Sequence, residues 1–240
     1  MKARYDVIFR DIRDSIERGA YPFQSFLPSE SELTAAFGCS HNTLRRALSL
    51  LRERGYVQPV HGKGVRVVYQ PQERTAFTVG DIESFREAGE RAHLRTRTDV
   101  ACVEQVIADD ALAARTGFSP GEELTYVIRV RNIDGEALIL DHSYFRTASV
   151  PGITVEVARR SIYDHIEGHL GITIAMSKRT ITVERATEQD NELLDLDGID
   201  YLAVITSQTF DAQGILIERT QSRHRPDHFC FRDTAVRHHV

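Results

Sequence analysis

The sequence predicts an α+β protein built from two domains. Its 240 residues exceed one typical domain of about 100 to 200 residues. Apolar residues recur at helical spacing near the start of the chain, whereas apolar and polar residues alternate over long stretches after residue 123. Charge separates the same two parts, since residues 1–70 carry a formal net charge of +4 and residues 71–240 one of −9.

The composition excludes several classes of protein. Hydrophobic residues make up 41% and charged residues 27% of the chain, as in ordinary globular proteins, so a disordered chain is not expected. No apolar run approaches the roughly 18 residues of a membrane span, and no signal-peptide core follows the charged start, so we expect a cytoplasmic protein without membrane association. The three cysteines are widely spaced, which predicts neither a disulfide framework nor a metal site, and no cofactor is expected.

Three helices are predicted in the first domain. Apolar residues at helical spacing over 5–16 indicate an amphipathic helix that stops near Gly19. Ser29 and Glu32 form a Ser-x-x-Glu capping box for a second helix, which ends at Gly38. A third helix follows at once, and it combines an apolar stripe with a basic face.

A hairpin completes the first domain. The β-rich runs 56–60 and 65–69 flank a glycine-rich, cationic tip at 61–64. Helix, tight turn, basic helix and hairpin together predict a winged helix-turn-helix domain over residues 1–69.

Basic residues are concentrated where such a fold meets DNA. Residues 40–66 hold six Lys and Arg but one acid, the charge pattern of a phosphate-backbone binder. The start of the basic helix would enter the major groove, and glycines beside Lys63 would let the hairpin approach the minor groove. Charge alone would equally fit a solvated helix face with an ordinary hairpin, but the helix-turn-helix spacing favours DNA binding. The helix residues suited to bases or phosphates are Ser40, His41, Asn42, Thr43 and Arg45.

A second domain follows a polar stretch. Residues 70–76 lack periodicity and are predicted to be a linker, which assigns residues 77–240 to the second domain. Alternating runs around Asp134 and Gly135 predict a β-hairpin. The other predicted strands cover 172–183, 201–211 and 215–223, and the predicted helices cover 109–116, 161–170 and 187–194. Antiparallel strands with helices to one side indicate an α+β sheet domain.

Several polar residues of the second domain suit a sugar-phosphate ligand. Arg129 and Arg131 are two apart on a strand, so both project from one face and could bind a phosphate. Asp141 and Glu218 could accept hydrogen bonds from sugar hydroxyls. Hydroxyl donors and flat rings are offered by Ser84, Ser161, Phe85 and Tyr163. From the residues alone, the simpler explanation is a solvated strand face, surface salt bridges and core aromatics.

The first domain resembles the winged helix of GntR-family transcription regulators. The resemblance rests on Leu-Pro-Ser-Glu-Ser-Glu-Leu at 27–33 and on the segments 38–48, 55–57 and 62–64. It implies operator DNA as a partner. The family commonly has arginine where this chain has Ser31 and His41. The implied DNA-binding residues are Ser29, Ser31, Ser40, His41, Asn42, Thr43, Arg45, Arg46, His61, Gly62, Lys63 and Gly64.

The second domain is similar to the UTRA effector domain of the HutC-like subfamily, which has a chorismate-lyase-like fold with an antiparallel sheet. Matching residues occur at 129–131, 134–136, 141–144, 161–163 and Glu218. Longer matches at 134–141, 161–168, 192–196 and 222–225 resemble repressors of trehalose-utilisation operons. The implied effector-binding residues are Ser84, Phe85, Arg86, Arg129, Arg131, Asp141, Ser161, Tyr163, Glu218 and His224.

These resemblances imply a homodimeric repressor that a sugar phosphate, by analogy trehalose 6-phosphate, releases from its operator. A regulator that responds to another sugar phosphate or small metabolite is the main alternative, and activation instead of release stays open. A lyase-like enzyme is a remote alternative, because the chain has no recognisable catalytic set. A DNA-binding architectural protein would leave the acidic second domain unexplained.

Overall fold

Two compact units make up the structure, a computed structural model that describes residues 4–70, 77–79 and 82–231. Residues 4–70 form the first unit and the other described residues form the second. Apart from Gln70, the predicted linker lies outside the described residues, as does the end of the chain after residue 231. A helical first unit and an antiparallel sheet in the second confirm the predicted α+β class.

The first unit consists of three helices and a hairpin. The helices are α1 Arg4–Glu17, α2 Glu30–Phe37 and α3 His41–Glu53, and the strands are β1 Val57–Val60 and β2 Gly64–Val67. The strands pair antiparallel with Val57 opposite Val67. The chain before α2 adds a short extended edge, since the backbone N–H of Leu27 donates to the carbonyl of Val65 at 2.8 Å. This third edge was not predicted.

The turn between α2 and α3 follows from local chemistry. Ser29 and Glu32 cap each other's backbone N–H at the start of α2, as predicted. Gly38 ends α2 in the left-handed region at φ 55°, which glycine adopts without a Cβ penalty. The Ser40 hydroxyl then accepts a hydrogen bond from the backbone N–H of Thr43 and begins α3. Two caps thus fix a tight helix-turn-helix.

The second unit is built on a six-stranded antiparallel sheet in the order β4-β5-β6-β9-β8-β7. Asp134 and Gly135 have positive φ values in the two-residue turn that joins β5 to β6, as the hairpin signal predicts. A small parallel pair forms between β3 and β10. The strands are β3 Phe77–Val79, β4 Thr96–Ile107, β5 Glu123–Ile133, β6 Glu136–Arg146, β7 Ile174–Arg185, β8 Tyr201–Asp211, β9 Leu216–His224 and β10 Phe229–Phe231.

Five helices accompany the sheet. They are α4 Phe85–Ala92, α5 Asp110–Thr116, α6 Val155–Arg160, α7 Ile162–Asp164 and α8 Glu188–Leu193. A π-helical turn, His165–His169, continues α7, so the predicted helix at 161–170 is present but irregular. The predictions missed α4, α6, β3, β4 and β10. None of the helices in the described ranges is long and apolar enough to cross a membrane.

The helices pack against both faces of the sheet. Val127 and Ile128 are neighbours on β5, so their side chains point to opposite faces. Val127 shares a buried cluster with Ala158 of α6 and Ile162 of α7. Ile128 shares another with Leu194, which follows α8. The prediction that helices lie to one side is therefore wrong, because the central strands are apolar on both faces.

Candidate functional site

One cavity of the second unit gathers all ten residues that the resemblance implies for effector binding. It lies on the sheet face formed by alternate residues of β5, β6 and β9, beside the N-termini of α4 and α7. Together with the solvent at its mouth, it encloses about 850 Å³ of space not filled by protein atoms. The ten residues are Ser84, Phe85, Arg86, Arg129, Arg131, Asp141, Ser161, Tyr163, Glu218 and His224.

Arg131 is buried and held on three sides. It is 6% exposed, its Nε donates to Asp141 Oδ2 at 2.8 Å and its Nη1 donates to the Thr98 hydroxyl at 2.8 Å. Its guanidinium also lies over the Phe85 ring, 4.9 Å from the centroid. A solvated strand face is therefore the wrong explanation for this arginine, because its partners fix it inside the cavity.

Arg129 is equally buried but less fully bonded. It is 6% exposed, and its Nη2 donates to the Ser143 hydroxyl at 3.2 Å and lies 3.8 Å from Asp141 Oδ2. Within the described part of the chain its Nε has no hydrogen-bond partner. Burial and the neighbouring Arg131 lower the pKa of Arg129 to about 10, so it is still a cation near neutral pH. A buried cation that retains hydrogen-bonding capacity favours a bound anion.

Asp141 balances the two arginines. Burial alone would raise the pKa of this carboxyl, but the arginines outweigh burial and lower it to about 2. Its Oδ1 accepts a further hydrogen bond from the Ser222 hydroxyl at 2.6 Å. Asp141 is therefore an anion over the whole neutral range, and its salt bridge to Arg131 is a buried one, not the surface contact that the simpler explanation predicts.

Glu218 and Tyr163 form a second polar pair in the cavity. The Tyr163 hydroxyl donates to Glu218 Oε2 at 2.8 Å, and the Thr220 hydroxyl donates to Glu218 Oε1 at 2.7 Å. Burial, followed by the negative charge of Glu218, raises the pKa of Tyr163. The phenol therefore stays protonated, and Glu218 keeps lone pairs for further donors.

Ser84 and Ser161 sit at helix starts. Ser84 caps α4 and accepts from the backbone N–H of Glu87 at 3.2 Å, while Ser161 caps α7 and accepts from the backbone N–H of Asp164 at 3.1 Å. Each hydroxyl keeps its own proton for donation. Both hydroxyls are buried at the cavity wall.

Arg86 and His224 lie at opposite depths of the cavity. Arg86 is exposed and bonded to Asp164, with 2.7 Å between Nη2 and Oδ2. His224 is 4% exposed and packs against the Phe229 ring, 5.1 Å away. Burial lowers the pKa of His224 to about 4, so its ring is neutral near pH 7.

The sequence analysis missed other polar lining residues, namely Glu83, Arg160, Arg179, Ser207, Thr220 and Ser222. Alternation along β9 from Glu218 would have found Thr220 and Ser222.

The predicted DNA-contacting side chains of α3 are largely exposed on the first unit. His41, Asn42, Arg45 and Arg46 are exposed, and Thr43 is half-buried. Glu30 of α2 contacts two of them, since its Oε2 accepts from Arg45 Nε at 3.1 Å and lies 3.7 Å from His41 Nδ1. Arg46 lies 3.9 Å from the centroid of the Tyr5 ring. Sequence reasoning missed Glu30, although its place in the first turn of α2 is visible in the motif at 27–33.

The tip of the β1–β2 hairpin, residues 61–64, is the wing of this fold. The wing and the start of α2 complete this surface. His61, Gly62, Lys63 and Gly64 are exposed, and the two glycines have φ values of 70° and 107°. Ser29 is engaged in the capping box of α2, and Ser31 is exposed in the first turn of α2.

The two units match two families of known proteins. Residues 4–67 match the bacterial regulatory proteins of the gntR family, and residues 91–230 match the UTRA domain. The chain belongs to the GntR family. The family predicted from the motifs is thereby confirmed, and the chain is a DNA-binding transcription regulator of the GntR/UTRA type.

Relatives of this GntR regulator include named transcriptional regulators and repressors. It is 38% identical to the HTH-type transcriptional regulator TreR of Bacillus subtilis, over 98% of each chain. It is 28% identical to the Escherichia coli repressor MngR of mannosyl-D-glycerate transport and metabolism, over 98% of this chain and 97% of MngR. The solved effector-binding domain of the B. subtilis trehalose repressor TreR aligns with a TM-score of 0.55 at 37% identity, covering 60% of this chain and 99% of that chain. The crystal structure of B. subtilis YydK aligns at 0.82 and 22% identity, over 98% of this chain and all of YydK, and supports the fold alone.

Proposed function

We propose that this regulator represses a trehalose-utilisation operon and that trehalose 6-phosphate releases it from the operator. The observation that carries the proposal is the buried pair Arg129 and Arg131, held by Asp141 in the wall of one cavity. The guanidinium groups of Arg129 and Arg131 line this cavity and suit a phosphate, because they donate charge-assisted hydrogen bonds to oxyanions. The identity to B. subtilis TreR, whose effector domain is described as that of a trehalose repressor, supports trehalose as the sugar.

The remaining polar groups of the cavity suit the sugar. Glu218 can accept hydrogen bonds from sugar hydroxyls beyond those from Tyr163 and Thr220. The Ser84 and Ser161 hydroxyls can donate to phosphate or sugar oxygens. Phe85, already under the Arg131 guanidinium, and Tyr163 offer apolar ring surface for a pyranose.

Operator binding is assigned to the first unit. We expect α3 to enter the major groove with His41, Asn42 and Arg45, and the wing to bring Lys63 to the minor groove. A homodimer would present two such helices to the two halves of a palindromic operator.

Calorimetry on the full chain tests the effector assignment. Trehalose 6-phosphate, free trehalose and glucose 6-phosphate are titrated into the parent, Arg131→Ala, Asp141→Asn and the control Arg95→Ala, which removes an exposed arginine of the same unit. In Arg131→Ala, the loss of one charge-assisted contact should weaken binding of the sugar phosphate about ten- to a hundredfold. Asp141→Asn should reduce discrimination between the sugars more than it reduces attraction of the phosphate, because the amide lacks the charge and one acceptor oxygen of the carboxylate.

Two results would contradict the proposal. Equal affinity of the parent for trehalose and its phosphate would remove the phosphate-binding role of the arginines. No binding of the three compounds to the parent would remove trehalose 6-phosphate as the effector. Thermal unfolding of each variant shows whether it is folded.

A further inference from the structure

A second concave site lies on the sheet face opposite the effector cavity. Tyr126, Tyr144 and Arg219 stand opposite one another in the register of β5, β6 and β9. Alternation along the strands turns them away from the face of Arg129 and Asp141. The groove runs beside the last turn of α5 and holds about 620 Å³ of non-atom space, counting the solvent at its mouth. We call it the α5 groove, and its residues are Arg115, Thr116, Tyr126, His142, Tyr144, Arg219 and Gln221.

The floor of the α5 groove is a row of stacked rings. The Tyr126 and Tyr144 centroids are 4.5 Å apart with planes 18° from parallel. The Tyr126 hydroxyl and His142 Nδ1 are 2.7 Å apart, within hydrogen-bond distance. Burial raises the pKa of Tyr126, so its hydroxyl stays protonated. The row therefore presents the protonated Tyr126 phenol and the Tyr144 hydroxyl beside the cations.

Two arginines meet at this floor without an acidic partner. Arg115 Nη2 lies 3.4 Å from the Tyr144 hydroxyl, and Arg219 Nη1 donates to the backbone carbonyl of Thr220 at 2.8 Å. Across the described ranges, neither guanidinium has an Asp or Glu oxygen within 4.0 Å. Arg223 lies four residues further along β9 on the same face and is by contrast bonded to Asp190 at 2.9 Å.

The position of Arg115 is explained by its contribution to helix stability, whereas that of Arg219 is not. Arg115 lies in the last turn of α5, where a positive charge suits the helix dipole. Arg219 is half-buried on a strand, and burial and the charge of Arg115 lower its pKa. Two neighbouring like charges, of which Arg219 is half-buried, repel each other and favour a bound anion.

We propose that the α5 groove binds a small oxyanion, a phosphate group either free or carried by a small metabolite, between Arg115 and Arg219. Both guanidiniums donate to the oxyanion, and the Tyr144 hydroxyl lies within reach as a third donor. The groove and the effector cavity are on opposite faces of the sheet, so the proposal is independent of the effector assignment.

Calorimetry with inorganic phosphate, and in a second arm with glycerol 3-phosphate, tests the site on the full chain. The variants are Arg115→Gln, Arg219→Gln and Arg131→Ala, with Arg97→Gln as a control that removes an exposed arginine already paired with Asp99. Binding should persist in Arg131→Ala and in the control, and should weaken at least about tenfold in both groove variants. Stronger binding of glycerol 3-phosphate than of phosphate would identify a carried phosphate group.

Several outcomes would overturn the site. These are no binding to the parent, equal binding in the parent and both groove variants, and loss in Arg131→Ala alone, which would place the anion in the effector cavity. Sedimentation supplies another, since a changed oligomeric state in Arg115→Gln would make the groove an interface between copies. Arg115 is exposed, so its variant remains informative if Arg219→Gln fails to fold.

Discussion

Protonation of the His224 side chain is coupled to unfolding of the protein. Burial lowers its folded-state pKa to about 4, whereas an unfolded histidine titrates near 6.5. Between these values the unfolded chain binds more protons, so stability falls as pH falls. We expect the parent to lose about 2 kcal/mol more unfolding free energy between pH 7 and pH 5 than His224→Gln does.

Urea denaturation at pH 7, 6 and 5 measures that difference. His61→Gln, which removes an exposed histidine of the wing, serves as the control and should follow the parent. Parallel stability curves for the parent and His224→Gln would show that His224 is not the group responsible.

Arg45 and Lys63 should contribute differently to operator binding. Arg45 is positioned by Glu30 at the start of α3, where side chains reach base edges, so Arg45→Ala should reduce discrimination against a mutated operator base by about 1–3 kcal/mol. Lys63 lies at the wing tip, and Lys63→Ala should weaken all sequences alike and lower the salt slope by about 1. Fluorescence anisotropy at several salt concentrations separates the two effects. Arg18→Ala, at the end of α1, is the charge-matched control, and a loss equal to that of Arg45→Ala would contradict the assignment.

Elements with a clear local sequence pattern were predictable, and those without one were not. The β5–β6 hairpin carries alternation and an Asp-Gly turn, and both appear in the structure. Strand β4 is an edge strand with exposed residues on both faces, so its period of two is weak. Helix α4 is short and has Gly89 inside it, which weakens the helical signal.

A substitution at Gly89 tests whether the packing of α4 on β4 positions the cavity residues. A Cβ at this position would lie 2.5 Å from Thr96 Cγ2 of β4, so in Gly89→Ala either the Thr96 side chain or α4 must shift, although alanine favours a helix. Because Ser84 and Phe85 at the start of α4 line the cavity, we expect weaker sugar-phosphate binding. Gly168→Ala is the matched control, since a Cβ there meets no atom within 4 Å. Calorimetry should separate the variants, and equal affinities would show that α4 tolerates the added methyl group.

The effector contacts and the operator contacts proposed above lie in different units of the molecule. The cavity residues lie in the second unit, and α3 with the wing lies in the first. A ligand can change operator affinity if it binds the DNA-competent and DNA-incompetent states with different affinities. By linkage, operator DNA must weaken effector binding by the same factor that the effector weakens operator binding.

Titrations in both directions measure this reciprocity. The affinity of trehalose 6-phosphate is determined with and without a saturating operator duplex, and the affinity of the duplex with and without saturating ligand. A scrambled duplex is the control. Unequal factors would contradict a single coupled equilibrium, and equal increases in affinity would show that the ligand promotes DNA binding.

The sequence predicts which residues line the cavity better than it predicts how they are arranged. The spacing of Arg129 and Arg131 predicts one shared face, and the structure has it. Their burial depends on α4 and α7 beside that face and on β4 next to β5, an arrangement that no local pattern encodes. Arg179 reaches the cavity from β7, across the sheet, and had no motif to mark it.

The parallel pairing of β3 with β10 sets when the second unit can be completed during synthesis. Strand β3 leaves the ribosome early, but its partner at 229–231 follows about 150 residues later. The first strand must therefore wait, unpaired, until nearly the whole unit has been translated. A chain that stops before Phe229 would lack this closure, and His224, whose ring packs on Phe229, would lose its cover in the same event.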